Sequence, residues 1–204
     1  ATEQADIPNG THLAIAGNIA DLKQIEDAVK QAEAHFGTVD ILVNNAGVAL
    51  LNKADLVTEA EWDTTMSVNL KAAFFLSQAV ARIMTKKGKG QIVNLASQAS
   101  VIALDRHVAY CASKAAVVSM TEVLAIEWAA AGITVNAVSP TVVETALGKK
   151  AWAGEVGEVM KKKIPVGRFA QPEEIAAAVL YLVSDHSSII TGANLIIDGG
   201  YTIQ

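Results

Sequence analysis

Cysteine, proline and aromatic residues are scarce in this sequence of 204 residues, and each shortage excludes a class of protein. The single cysteine, Cys111, excludes an intrachain disulfide and fits a reducing compartment. The four prolines form no proline-rich linker, and no repeat or low-complexity tract occurs, so a single domain is expected. No apolar stretch approaches the ~20 residues that span a bilayer, and no secretory signal begins the chain. We therefore expect a cytoplasmic protein that binds no membrane.

Charged residues make up only 18% of the sequence, and the net charge is −5. An acidic chain is not attracted to nucleic acid or to anionic lipid, so these partners are not expected. Hydrophobic residues reach 51% and mean hydropathy is +0.33. Much of this apolar surface is therefore expected to be buried, either against a sheet that is covered on both faces or between subunits. The four histidines and the carboxylates show no metal-ligand spacing, and no bound metal is expected.

Apolar runs and helix signals alternate along the chain, as in proteins whose parallel sheet is covered by helices. The pattern predicts strands at 12–16, 39–44, 91–95, 133–138 and 194–197, and helices at 21–35, 58–84, 107–130 and from Pro172 onward. The segment 141–165 is predicted to be less regular. Ligands bind beyond the carboxyl ends of such strands, where Asn44, Ser97 and the loop 139–145 are predicted to meet.

Tyr110 and Lys114 form the pattern Y-x-x-x-K on the helix predicted at 107–130. Positions i and i+4 share a helix face, so the Lys114 ammonium can lie beside the Tyr110 phenol and lower its pKa from about 10. Ser97, at the carboxyl end of a strand, can hydrogen-bond the same substrate oxygen. The three residues predict proton transfer to or from a substrate oxygen.

These residues resemble the short-chain dehydrogenase/reductase family, whose catalytic Ser, Tyr and Lys have this order and spacing. Asn44-Asn45-Ala46-Gly47 matches the family's N-N-A-G turn after its fourth strand. Asn69 matches the Asn that kinks a helix and helps to hold a water near the lysine. Pro140, Val143 and Thr145 match the loop that holds the nicotinamide carboxamide. The resemblance covers essentially the whole chain and implies an α/β fold with a Rossmann-like, doubly wound parallel sheet.

The resemblance also implies a reaction, which is hydride transfer between a nicotinamide and a carbinol or carbonyl carbon, with NAD or NADP as cofactor. Tyr110 would be the general acid and base, and Ser97 would orient and polarise the oxygen. Lys114 would lower the tyrosine pKa and bind the nicotinamide ribose. Asn69 would support a water relay through its helix kink.

Further cofactor contacts follow from the resemblance. Asn44 would stabilise the strand end, and Ala46 and Gly47 would lie close to the adenosine ribose, although this segment also fits an ordinary turn. Asn18, before Ile19, stands where the family usually has an Asp that contacts the adenine amino group. Asn can accept that hydrogen bond through its side-chain carbonyl.

Two residues are expected to contact substrate besides Ser97 and Tyr110. His107 precedes Tyr110 by one helical turn, and a place in the pocket wall is favoured over a second acid–base role. Trp152 lies in the stretch 146–165, the family's mobile substrate lid, and a hydrophobic plug between subunits is an equal alternative. Thr141 departs from the family's usual Gly after Pro140 and restricts that loop.

The family's glycine-rich turn, T-G-x-x-x-G-x-G, has no counterpart in this sequence. That turn holds the cofactor pyrophosphate at a helix N-terminus. The polar residues 1–11 lead directly into 12–16, which resembles the family's third strand. We therefore expect residues 1–204 to be one dinucleotide-binding and catalytic domain from which the first two strands, about forty residues, are absent. The residue that selects NAD or NADP would lie in that segment.

The C-terminal half, with Trp152 and the segments 167–169, 172–174 and 198–201, looks similar to polyol and sugar-alcohol dehydrogenases of this family. A secondary alcohol on a small polyol is the predicted substrate. The alternatives are a 3-oxoacyl-thioester reductase and a catalytically silent binding or scaffold protein. Family resemblance also implies a homotetramer joined through helices 60–84 and 107–130 and the final helix and strand. Some relatives hold a hydrated ion at the position of the Gln204 carboxylate.

Overall fold

Four parallel strands form one sheet in the part of the chain that the computed structural model describes, residues 12–145, 148–149 and 152–204. Strand β1 is Ile41–Asn44, β2 is Gly90–Leu95, β3 is Ile133–Pro140 and β4 is Asn194–Ile197. They lie side by side in chain order, and every pair is parallel. All four carboxyl ends therefore lie at one edge of the sheet, where the sequence predicts a binding site.

Helices cover both faces of this sheet, as expected for a doubly wound fold. They are α1 (Leu22–Phe36), α2 (Glu59–Met66), α3 (Ala72–Lys87), α4 (Val108–Trp128), α5 (Glu155–Lys162) and α6 (Pro172–Leu182). On one face, Ile92 and Val135 pack with residues of α1, α3 and α4. On the other face, Val93 and Val138 pack with residues of α6. The central strands β2 and β3 are buried on both sides, as parallel strands within a covered sheet require.

The helix ends follow the sequence signals. The Asp21 carboxylate accepts hydrogen bonds from the backbone N–H groups of Lys23 and Gln24, at 2.9 and 3.4 Å, and caps α1. Gly37 ends that helix with φ of 77°. Thr58 and Glu61 form the predicted capping box at the start of α2.

The helix predicted at 58–84 is interrupted. Residues Ser67–Lys71 form a π-helical turn between α2 and α3, and α3 continues to Lys87. Asn69 lies in this turn and is buried. Such single π turns are inserted into helices frequently at functional sites. The expectation that Asn69 marks a distortion of a long helix is confirmed.

Two predictions of local structure are wrong. Residues 12–16 form no strand, because no described segment pairs with them and strand backbone groups need a partner. They lie mostly exposed, and β1 exposes 46% of Ile41 and 40% of Val43. The stretch 141–165 contains the regular helix α5, which buries Met160 against Ile164 and Phe169. Residues 1–11, 146–147 and 150–151, including parts of the predicted lid, lie outside the described residues.

Candidate active site

The side chains that matter most converge at the carboxyl edge of the sheet. The turn Asn44–Val48 follows β1, and Ser97 follows β2 after two residues. The segment 140–145 follows β3. Helix α4 packs on β3 and carries Tyr110 and Lys114 in its first two turns.

Lys114 is buried, with 5% of its surface exposed. Its Nζ donates a hydrogen bond of 2.6 Å to Leu95 O, at the end of β2. Burial disfavours the charged amine and lowers the Lys114 pKa from 10.5 to about 8. The same nitrogen lies 5.8 Å from the centre of the Tyr110 ring, so the predicted proximity of the two residues is confirmed.

The lowering of the Tyr110 pKa by Lys114 stays a prediction. Burial raises the pKa of Tyr110, and a hydrogen bond with Ser97 opposes the rise. Lys114 donates its hydrogen bond to Leu95 O rather than to the phenol, and burial has the largest effect on the Tyr110 pKa. Tyr110 is therefore a protonated phenol at neutral pH.

The Ser97 hydroxyl contacts the main chain and the Tyr110 phenol. Its Oγ accepts a hydrogen bond of 3.1 Å from the backbone N–H of Ala99. An oxygen that already accepts from the main chain directs its own O–H elsewhere. A hydrogen bond with Ser97 lowers the pKa of Tyr110, so the two hydroxyls lie close together. A substrate oxygen shared by both hydroxyls stays a prediction.

Asn69 joins the turn after β1 to the catalytic helix. Its Oδ1 accepts from the Val48 N–H at 2.8 Å, and its Nδ2 donates to Val48 O at 2.9 Å. The same Nδ2 donates to Ser113 Oγ at 3.0 Å, and Ser113 donates to Tyr110 O at 2.8 Å. The sequence predicted the helix distortion but not this direct clamp, because the partners Val48 and Ser113 carry no motif.

The end of β1 borders a small cavity with the volume of about two water molecules. A cavity of about 60 Å³ lies there, and Ile19, Asn44 and Ala46 are among its lining residues. A methyl group added at Gly47 would lie 3.4 Å from Asn69 Oδ1 and 3.6 Å from Lys114 Nζ, so the bare backbone leaves space beside the buried amine. Three of the predicted cofactor residues thus share one cavity. The residues present fit a nicotinamide dinucleotide.

Comparison with known proteins identifies the family. A family model described as enoyl-(acyl carrier protein) reductase matches residues 1–202. The chain is 60% identical over 200 residues to the NAD-dependent glycerol dehydrogenase of Listeria innocua, covering 98% of this chain and 79% of that protein. It is 52% identical over 195 residues to the D-threitol dehydrogenase of Mycolicibacterium smegmatis, with 96% and 75% covered. The chain belongs to the short-chain dehydrogenase/reductase family.

A solved member of the short-chain dehydrogenase/reductase family has the same fold. The gluconate 5-dehydrogenase of Burkholderia cenocepacia, in complex with NADP and tartrate, superposes with a TM-score of 0.89 at 34% identity. That alignment covers 92% of this chain and 74% of that one. The family assignment and the Rossmann-like parallel sheet expected from the sequence are confirmed.

The loop that follows β3 is held by backbone hydrogen bonds to Ala170, which lies before α6. Ala170 N donates to Val142 O at 3.0 Å, and Glu144 N donates to Ala170 O at 2.9 Å, so Val143 lies in a short parallel bridge. Pro140 ends β3 opposite Ile197.

Two side chains of this loop have different surroundings. Thr145 Oγ1 accepts from Gly148 N at 3.0 Å. The Thr141 hydroxyl is buried without a hydrogen-bond partner in the described part of the chain. The contact of Pro140, Val143 and Thr145 with a nicotinamide carboxamide stays a prediction.

Among the described residues, Asn18 contacts near neighbours. Its side-chain oxygen accepts from Ala20 N at 3.0 Å, and its own N–H donates to Gln24 Oε1 at 2.7 Å. This is the geometry of an Asx turn leading into α1. The adenine contact expected from Asn18 stays a prediction.

His107 lies beside the predicted acid–base residue. Its ring meets the Tyr110 ring edge to face, with centres 6.0 Å apart. Nδ1 lies 2.5 Å from Asp105 O, which makes Nδ1 the donor and leaves Nε2 as an acceptor. His107 also lines an open cleft of about 640 Å³ with Arg106 and Cys111. These contacts suit the predicted place in a pocket wall.

Trp152 lies in a different cluster. Its ring packs edge to face on Phe169, with centres 6.1 Å apart, beside Met160 and Ile164 of the α5 region. The described contacts of Trp152 do not include Ser97, Tyr110 or Lys114. The structure therefore does not place Trp152 next to the three catalytic candidates, and its contact with substrate stays a prediction.

Two buried polar side chains near Ser97 were not predicted from the sequence. Gln98, directly after Ser97, is buried, and its Oε1 has no hydrogen-bond partner among the described residues. Asn94, in β2, is fully buried and hydrogen-bonded to Asn44. A polar residue within an apolar strand run was the available hint for Asn94.

Within residues 12–145, 148–149 and 152–204, no three His, Cys, Asp or Glu side chains gather as metal ligands.

Proposed function

We propose that this chain catalyses NAD(P)-dependent hydride transfer between the secondary alcohol of a small polyol and the corresponding ketone. The observation that carries the proposal is the meeting of Ser97, Tyr110 and Lys114 at the carboxyl edge of the sheet. The named activities of the two relatives, on glycerol and on D-threitol, support a short polyol as substrate.

The proposed roles follow from the contacts of each residue. The bound nicotinamide would supply or accept the hydride. Ser97 donates its O–H to the substrate oxygen and holds it next to Tyr110. Tyr110 gives its proton to that oxygen during ketone reduction and takes it back during alcohol oxidation. Lys114, fixed by Leu95 O, holds a cation close to the phenol and to the bare backbone of Gly47.

Several residues are placed to hold the cofactor. We propose that Asn44, Ala46 and Gly47 lie against its adenosine half, together with Ile19, and that Lys114 binds the nicotinamide ribose. Pro140, Val143 and Thr145 would hold the carboxamide, and Asn18 the adenine.

The test is a substrate panel on the full-length protein with NAD and with NADP. We expect oxidation of glycerol, D-threitol or xylitol, with one nucleotide preferred. Ser97→Ala is expected to lower turnover by about 10²-fold or more. Ser100→Ala is the matched control, because Ser100 lies on the next turn and contacts Ser139 rather than Tyr110. Wild-type protein that binds neither nucleotide and oxidises no polyol would refute the proposal.

Reduction of a 3-oxoacyl thioester is the second candidate. The chain is 39% identical over 186 residues to a 3-oxoacyl-[acyl-carrier-protein] reductase of Thermotoga maritima, which favours it. The net charge of −5 disfavours docking of an acidic carrier protein. Acetoacetyl thioester in the same panel separates the two, since a preference for it over every polyol would reverse the assignment. Nucleotide binding without turnover on either substrate class would instead support a silent binding protein.

We also propose that the chain assembles into a homotetramer in the cytoplasm. Helix α4, with the turn after it, is long and apolar enough over Val108–Ala131 to span a membrane, by length and composition alone. It nevertheless packs on β3, and its outer face exposes 50% of Val123 and 80% of Ile126. Burial of that face between subunits would explain its composition.

Light scattering tests the assembly. Ile126→Lys should shift the full-length protein to smaller species, whereas Lys30→Glu on α1 should not. A wild-type monomer at assay concentration would contradict the tetramer, and fractionation of expressing cells tests the location.

A further inference from the structure

Buried side chains connect the turn after β1 to the catalytic helix through the sheet. Asn44 Nδ2 donates to Asn94 Oδ1 at 2.8 Å, and Asn94 Nδ2 donates to Thr121 Oγ1 at 2.9 Å. Thr121 lies on α4, the helix that carries Tyr110 and Lys114. We call Asn44, Asn94 and Thr121 the amide relay. Asn94 and Thr121 are almost completely buried.

The direction of every hydrogen bond in the amide relay is fixed from its two ends. At one end, Asn44 Nδ2 faces Ala73 O at 3.3 Å, and a backbone carbonyl only accepts. At the other end, Thr121 donates to Val117 O at 2.8 Å, so its oxygen accepts from Asn94. Asn94 therefore has one permitted amide orientation, with Oδ1 toward Asn44 and Nδ2 toward Thr121.

This arrangement commits the nitrogen of Asn44 to the protein. Its Nδ2 also donates to Ser77 Oγ at 2.9 Å, and Ser77 itself donates to Ala73 O. Both amide hydrogens are therefore used. The amide oxygen is the polar side-chain atom that Asn44 can offer to the cavity that it lines with Ile19 and Ala46. A ribose hydroxyl, which donates, matches an acceptor there.

We propose that Asn94 is a positioning residue for the cofactor, which acts by fixing the amide orientation of Asn44 and the position of the turn that follows it. Asn94 itself touches no ligand, because it is fully buried inside the sheet layer. The proposal rests on the proposed function for the identity of the ligand. The geometry of the turn after β1 is independent of the proposed function.

The neighbouring strand offers a matched control. Asn136 is equally buried, in β3, and its amide also makes two hydrogen bonds, to Ile190 O and from Ala193 N. It faces the α6 side of the sheet, beside Val93, whereas Asn94 faces α3 and α4. Losing either amide removes two buried hydrogen bonds. Of the two residues, Asn94 is the one that contacts Asn44, at the start of the turn after β1.

The experiment compares Asn94→Val, Asn136→Val and the double variant N94V/T121V in the full-length protein. The readouts are the melting temperature, the NADH dissociation constant from fluorescence titration, and amide hydrogen exchange of residues 45–48. Asn94→Val should raise the NADH dissociation constant by about three- to tenfold, the effect of one lost hydrogen bond. It should also speed exchange in the turn, and kcat should change less than the KM for the cofactor.

The controls separate positioning from stability. Asn136→Val should lower the melting temperature similarly and leave the dissociation constant and the exchange of 45–48 unchanged. The double variant also removes the Thr121 oxygen that has lost its Asn94 donor, so its melting temperature should be no lower than that of Asn94→Val while NADH binding stays weak. Recovery of both together, or unchanged NADH binding in Asn94→Val, would overturn the proposal.

A milder variant covers a failure to fold. Ser77→Ala removes the other side-chain acceptor of Asn44 and should raise the NADH dissociation constant about threefold; no change would also contradict the proposal. If wild-type protein binds no nucleotide, the proposed function fails, and exchange in the turn still tests the role of Asn94.

Discussion

The Lys114 amine and the Tyr110 ring lie 5.8 Å apart on one face of α4, and the amine points its hydrogen bond at Leu95 O rather than at the phenol. A cation at this distance from the ring centre is attracted by the π face. Burial nevertheless dominates the ionisation of both groups, raising the pKa of Tyr110 and lowering that of Lys114. At neutral pH, Tyr110 therefore holds its proton.

This ionisation predicts how the two reaction directions respond to pH. Ketone reduction needs the protonated phenol and should proceed at neutral pH. Alcohol oxidation needs a phenolate to take the proton, so its kcat/KM should rise from pH 7 toward pH 10, approaching tenfold per pH unit when this ionisation alone limits the rate. The measurement is a pH–rate profile in each direction. Oxidation that is already at its plateau at pH 7 would mean that Lys114 lowers the tyrosine pKa after all.

Replacement of Lys114 is expected to stabilise the fold while abolishing turnover. Lowering the Lys114 pKa from 10.5 to about 8 reflects a burial cost of roughly 3 kcal/mol, which the lost bond to Leu95 O partly offsets. Lys114→Met should therefore raise the free energy of unfolding at pH 7 by about 1–3 kcal/mol. Chemical denaturation measures it.

The pH dependence of stability provides the control for that variant. Between pH 8 and about 10.5 the unfolded chain holds the Lys114 proton more tightly than the folded chain, so wild-type stability should rise with pH in this window. Lys114→Met should lack that rise. Lys89→Met, at an exposed lysine paired with Asp185, should keep it. A destabilised Lys114→Met at pH 7 would show that the burial cost is overstated.

The clamp made by Asn69 should matter for both stability and rate. Asn69→Ala leaves the N–H and C=O of Val48 without their side-chain partner and should cost about 2–3 kcal/mol in unfolding free energy. The turn beside Lys114 then loses its fixed position, and kcat should fall by about tenfold or more. Ser113→Ala removes only the link to α4 and should have a smaller effect on both. Equal effects of the two variants would place the importance in α4 instead of the turn.

Two glycines should separate cofactor binding from folding. An added methyl at Gly47 meets Asn69 and Lys114 at ordinary contact distances, so Gly47→Ala should fold with stability changed by less than about 0.5 kcal/mol. It should weaken NADH binding about tenfold, because the methyl occupies the approach to the buried amine. Gly132→Ala should do the opposite: with φ of 74° and a methyl 2.2 Å from Gly88 O, it should destabilise without a specific effect on NADH affinity. Unchanged NADH affinity in Gly47→Ala would move the cofactor away from this turn.

Local signals in the sequence predicted the parts of the fold that depend on near neighbours. The Asp21 cap, the Gly37 stop and the Thr58–Glu61 box each satisfy backbone groups within one turn, so they can be read from the spacing. The spacing of Tyr110 and Lys114 likewise fixes their shared helix face. Ser97 and Asn44 were found because both end strands of one parallel sheet.

The features that the sequence did not predict depend on contacts between residues that are far apart in the chain. An apolar run such as 12–16 becomes a strand only when another strand pairs with it, and no described segment does so. The pKa of Tyr110 depends on how deeply the phenol is buried and on where Lys114 sends its hydrogen bond. Asn94 reads as one polar residue in an apolar strand until Asn44 and Thr121 are seen on either side of it.

The most direct test of the account is the turnover of Tyr110→Phe in the full-length protein, measured with the preferred polyol and compared with Tyr181→Phe on the exposed part of α6. Removing the one hydroxyl that exchanges the proton should lower kcat by about 10²–10⁴-fold, with the NADH dissociation constant and the melting temperature close to wild type. Tyr181→Phe should leave all three unchanged. Polyol oxidation by Tyr110→Phe at near wild-type rates would contradict the central claim.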